Sequence, residues 1–157
     1  MRVRILLADD HRMFRDGLRA LLAAQSDLEV VGEAEDGFQA LERAQALMPD
    51  LILMDLSMPR CDGLEATRCI HAEMPEVRIV CLSMYGDVDR GPITRAAGAS
   101  AYVQKDGEPE VLLDDLTSEL RSAQDLAQAM VVIRRFKHRE TLRIAFGDLI
   151  AEQRLPV

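Results

Sequence analysis

Apolar positions along the first hundred residues alternate between two textures. Short apolar or β-branched runs fall at Val3–Ala8, Leu28–Val31, Leu51–Met54, Arg78–Leu82 and Ala101–Val103, with the length and composition of strands. Between them, apolar residues return every three or four positions. The first such set is Phe14, Leu18, Leu21 and Leu22; the second is Phe38, Leu41, Ala44 and Leu47–Met48; the third is Leu64, Thr67, Cys69–Ile70 and Met74. That spacing predicts three amphipathic helices, and Val88–Ala97 predicts a less regular fourth. Asp36-Gly37 marks the start of the second helix and Met48-Pro49-Asp50 its end. Gly91-Pro92 falls where the fourth helix should start or run. Proline removes a donor and glycine adds backbone freedom, so this helix is expected to be short or displaced.

Strands alternating with helices make βαβ units and a parallel sheet covered on both faces. Consecutive apolar residues over Leu51–Met54 suit a strand buried on both sides. Right-handed crossovers leave few topologies, and a five-stranded, doubly wound α/β sheet is expected. The alternation stops after Lys105-Asp106-Gly107. Pro109 can open a helix, and Leu112, Leu116, Leu120, Ala123, Ala127, Met130 and Ile133 step by four or three. A domain over 1–122 and a helical extension over 123–157 are expected.

Composition narrows the function. The chain is 48% hydrophobic and 29% charged, enough for a real core in a soluble domain. Its net charge of −8 argues against a protein built to coat nucleic acid. The basic stretch Arg134–Arg139 is short and reads as a solvated helix face with Phe136 turned inward. Three cysteines (Cys61, Cys69 and Cys81) show no CxxC spacing, so reduced thiols in a cytoplasm are expected. No apolar stretch has the length of a membrane span. The opening MRVRILLADD sets its apolar run directly against two aspartates, unlike a cleaved signal peptide.

In open α/β sheets, functional groups gather just past the carboxyl ends of the strands. Those positions hold Asp9 and Asp10 after the first strand, Asp55 after the third, Ser83 after the fourth and Lys105 after the fifth. Carboxylates at close quarters repel unless a divalent cation or a raised pKa relieves them. Magnesium takes hard oxygen ligands and shares its shell with phosphate oxygens. A carboxylate beside it can attack phosphorus and form an acyl phosphate, with a hydroxyl and an ammonium holding the phosphoryl oxygens. Asp55, on the central strand, is the expected nucleophile, with Asp9 and Asp10 as metal ligands. His11 lacks a second imidazole or thiol at ligand spacing and reads as a helix-start residue. Nothing near Cys61 in the sequence would lower its pKa. Met54, Met58, Met74 and Met84 read as core or loop filler.

The segments ILLADDHRMFRDGLRALL, VVGEAEDGFQAL, PDLILMDLSMPRCDG, IVCLSMYG and AAGASAYVQKD resemble, in order and spacing, the receiver domain of a two-component response regulator of the NarL/FixJ type. The resemblance implies a flavodoxin-like fold with strand order 2-1-3-4-5 and phosphorylation of Asp55 by a sensor histidine kinase. It also implies Mg2+ held by Asp10, Asp55 and the backbone carbonyl of Ser57, with Asp9 nearby through water. Ser83 and Lys105 match the family's phosphate-sensing hydroxyl and lysine, and Tyr102 its switch aromatic. Output through protein contacts is expected, as a homodimer using the helix four to helix five face or the C-terminal helices. The alternative is a DNA-binding transcription regulator whose helix-turn-helix domain is missing or replaced. The tail VVIRRFKHRETLRIAFGDLIAEQRLPV resembles a helical stretch of glutamine-synthetase adenylyltransferase. It carries none of that enzyme's catalytic carboxylates.

Overall fold

A computed structural model of the protein describes residues 2–83 and 90–104, together with positions 118 and 121. The order is β1 (Val3–Ala8), α1 (Arg12–Ala23), β2 (Leu28–Ala34), α2 (Gly37–Leu47), β3 (Leu51–Asp55), α3 (Gly63–Glu73), β4 (Arg78–Ser83), α4 (Arg90–Ala97) and β5 (Ala101–Gln104). The strands form one sheet in the order β2-β1-β3-β4-β5, every pairing parallel. This is the expected doubly wound topology. The extension expected over 123–157, and Lys105 as well, lie outside the described residues.

Side-chain alternation along the strands builds a core on each face. Leu6, Ile52, Met54, Ile79 and Cys81 pack with Ala40 and Ala44 of α2 and Ala66 and Ile70 of α3. Their neighbours Ile5, Leu7, Leu51, Leu53, Val80 and Leu82 face the other way, toward Leu18 and Leu22 of α1. All five residues of β3 are buried, because this strand has a neighbour at each edge and a core on each face. Met54, Met58 and Met74 are buried as expected, and Met84 lies outside the described residues.

The second helix corrects the expected stripe. Phe38 is 64% exposed and Met48 51% exposed, while Ala40 and Ala44 face the core. Steps of three turn only 300° around a helix, so a run of them drifts off one face. Between Phe38 and Leu47 the drift amounts to half a turn. Met48 leaves the helix altogether, in a left-handed conformation at φ 47°. The N-termini of α2 and α3 are capped by aspartate: Asp36 accepts from Gln39 N–H at 2.8 Å and Asp62 from Glu65 N–H at 2.9 Å. The described fourth helix has eight residues with Gly91-Pro92 in its first turn, where a missing donor does little harm.

Candidate functional site

The rim past the carboxyl ends of β1 and β3 is where the strand order reverses, β2 lying to one side of β1 and β3 to the other. Asp9 and Asp10 follow β1 there, and Asp55 closes β3. Ligand atoms of Asp9, Asp10, His11 and Asp55 all lie within 4.8 Å of one another. Asp9 is buried, its N–H tied to the Ala34 carbonyl at 2.9 Å. Its Oδ1 accepts the His11 N–H at 2.8 Å. The Asp10 carboxylate is about one-third exposed, with His11 Nδ1 at 3.2 Å. Asp55 is 1% exposed, and its Oδ1 accepts from Ser57 N–H at 3.2 Å.

The loop after Asp55 is held by its neighbours. Gly63, the first residue of α3, sits so close that a Cβ there would run into the Asp55 carbonyl and the Leu56 Cα. Gly37, first in α2, donates its N–H to the Cys61 carbonyl at 2.8 Å. Arg60, at φ 65°, reaches Asp36 Oδ2 at 2.6 Å. The N-terminus of α2 is thereby fastened to the loop that carries Ser57.

Ser83 ends β4 buried, beside Gln104 of β5 in the register. Tyr102 is half-buried opposite Cys81, packed against the core shared with α2 and α3. The structure therefore brings Asp9, Asp10 and Asp55 together and sets Ser83 at the end of β4, with Tyr102 on the adjoining β5. His11 occupies the N-cap position of α1, as expected of a helix-start residue, without a side-chain capping bond, and its ring faces the acids it adjoins in sequence. The cysteines are free. Burial pushes the Cys81 thiol up from 9.0 to about 11, against a lowering hydrogen bond with Thr67. Burial first, then Asp62, also raises Cys61, so no thiolate is favoured at either position.

Three hard oxygen donors in one cluster suit a divalent cation. Ligands across an octahedral magnesium shell are separated by about 4.2 Å, twice the usual bond length. The donor atoms here all lie within 4.8 Å of one another. An imidazole is a softer ligand than magnesium prefers, so the carboxylates carry the fit.

The family comparison agrees with this geometry. The response regulator receiver domain matches residues 5–117. The chain belongs to that family. It is similar to the transcriptional regulatory protein YhcZ of Bacillus subtilis, 45% identical over 111 residues, which are 71% of this chain and 52% of that protein. It is similar also to LiaR of the same organism, 38% identical over 138 residues, covering 87% of this chain and 65% of LiaR. The chain thus spans about half to two-thirds of the length of these relatives. Among solved structures, a LuxR-family two-component response regulator from Aurantimonas sp. superimposes with a TM-score of 0.71 at 32% identity, over 87% of this chain and 100% of that one. This is a flavodoxin-like receiver domain of a two-component response regulator. The adenylyltransferase resemblance of the tail finds no support in these comparisons. Among the described residues, no helix is long and apolar enough to cross a membrane.

Proposed function

We propose that Asp55 is the phosphoacceptor, and that a sensor histidine kinase is the donor. The observation that carries this reading is the buried Asp55 carboxylate at the end of the central strand, with Asp9 and Asp10 within 4.8 Å. A carboxylate oxygen of Asp55 attacks phosphorus; the new O–P bond forms as the N–P bond of phosphohistidine breaks, and the imidazole leaves with the bonding pair. Mg2+ supplies charge neutralisation for the transferring phosphoryl oxygens when bound. Asp10, Asp55 and the backbone carbonyl of Ser57 hold it, with Asp9 acting through water. Burial keeps bulk water from Asp55, and the Ser57 N–H orients its Oδ1. Lys105 neutralises one phosphoryl oxygen, and Ser83 donates its hydroxyl to another. Tyr102 follows Ser83, biasing a two-state face formed by α4 and β5. The same site catalyses hydrolysis when water replaces the histidine as partner.

The receiver occupies residues 1–122 and a helical extension 123–157, in a cytoplasmic protein. Output runs through protein contacts, by a homodimer on the α4–β5 side or through the C-terminal helices, with no nucleic acid held by this chain. The test is intact mass after incubation with a small phosphodonor and Mg2+, followed by size exclusion. A gain of one phosphoryl group, absent in Asp55→Asn, is expected; no gain in the wild type would overturn the assignment. YhcZ and LiaR are both named transcriptional regulatory proteins, which favours a second reading, action in transcription control. That reading requires salt-sensitive binding of duplex DNA.

A further inference from the structure

A buried cation lies directly behind the acidic rim. The Arg15 side chain is 6% exposed, on the inward face of α1 between Phe14 and Leu18. One Nη donates to the Asp9 carbonyl at 2.6 Å and the other to Glu35 Oε1 at 3.1 Å. Its Nε stands 3.8 Å from Glu33 Oε2, and Arg19 takes the other oxygen of Glu33 at 2.7 Å. The planar fork thus ties the end of β1 to the end of β2. A buried ion pair stabilises a fold little better than apolar packing of the same volume. Packing alone does not account for an arginine here.

We infer that Arg15 is a positioning residue for the cation site. By clamping the Asp9 main chain, it fixes the direction in which Asp9 and Asp10 leave β1 and holds their carboxylates toward Asp55. Arg15 itself touches neither cation nor phosphoryl group. The inference rests on the proposed Mg2+ site and adds a residue to it.

Two possible effects of Arg15 have opposite sign. Its positive charge opposes a divalent cation, so an effect of charge alone makes Mg2+ bind more tightly when the charge is removed. Positioning makes Mg2+ bind more weakly, and loss of an outer partner of metal ligands typically lowers affinity about 10–100-fold. Lysine keeps the charge but loses the planar fork, which separates the two.

The experiment titrates the full chain with Mg2+ alone, following backbone amide shifts of Asp10 and Asp55, for wild type, Arg15→Met, Arg15→Lys and Arg19→Gln. Circular dichroism without Mg2+ checks each fold. Arg15→Met is expected to raise the dissociation constant about tenfold and Arg15→Lys about threefold, with Arg19→Gln within twofold of wild type. Should Arg15→Met fail to fold, Arg15→Lys decides alone. An unchanged or tighter constant in the folded Arg15 variants, or an equal loss in Arg19→Gln, overturns the inference. A merely structural role lowers the melting temperature and leaves the constant where it was. If the wild type itself does not bind Mg2+, the underlying site assignment fails, and the inference with it.

Discussion

Two glycines at helical positions should respond to alanine with opposite signs. Gly17 lies within α1, exposed, and a Cβ there would meet nothing within 4 Å. Replacing it reduces the freedom of the unfolded chain and improves helix propensity, together about 0.5–1 kcal/mol of stabilisation. Gly63 also begins with that gain, but its Cβ would overlap the Asp55 carbonyl oxygen and come within 2.9 Å of Leu56 Cα. The first belongs to a strand buried along its whole length and the second to the buried residue that follows it, so neither yields cheaply. Forced overlap in a packed interior costs about 1–3 kcal/mol. The net for Gly63→Ala is therefore about 1–2 kcal/mol of destabilisation, and relief requires displacing Asp55. With a urea slope of about 2 kcal/mol per molar, the midpoint falls by about 0.5–1 M, while that of Gly17→Ala rises. Phosphorylation of Gly63→Ala should slow in parallel, because the displaced residue is the proposed acceptor. The measurements are urea denaturation of the three proteins and the rate of mass gain with a small phosphodonor. A Gly63→Ala protein as stable as wild type, with normal phosphorylation, would refute the close approach.

Asp36→Ala removes both the cap of α2 and the partner of Arg60, and should destabilise by about 1–2 kcal/mol in the same denaturation assay. The Cys81 thiol gives a pH signature. Its folded pKa, about 11, lies above its ordinary 9.0, so its contribution is complete below the ordinary value and is lost as pH rises through the folded one. Between pH 9 and 11 the wild type should lose on the order of 2–3 kcal/mol relative to Cys81→Val, read from denaturation midpoints across that range. A parallel pH dependence in the two proteins would contradict this.

The alternation of apolar runs and helical spacings determined the five strands, their parallel sheet and the rim on which Asp9, Asp10, Asp55 and Ser83 stand. These features follow from local period and from the rule that sites gather past strand ends, so one sequence suffices to read them. Residue type at those positions was enough to suggest phosphoryl chemistry. Neighbours distant in the chain decided the rest. Arg15 looks like one of three arginines spaced along α1; what buries it is the Asp9 carbonyl and the glutamates at the end of β2. Phe38 fits a stripe on paper, yet the sheet selects Ala40 and Ala44 as the inward face of α2. The ring of His11 joins the acids because α1 starts where β1 ends at the rim. A register shift between Ile5 and Leu6, skipping Val31 on β2, sets which residues of β2 reach that rim, and no local pattern signals it. Periodicity reports which face of an element is apolar, but pairing across the sheet determines which polar group is buried, because only there do its partners meet it.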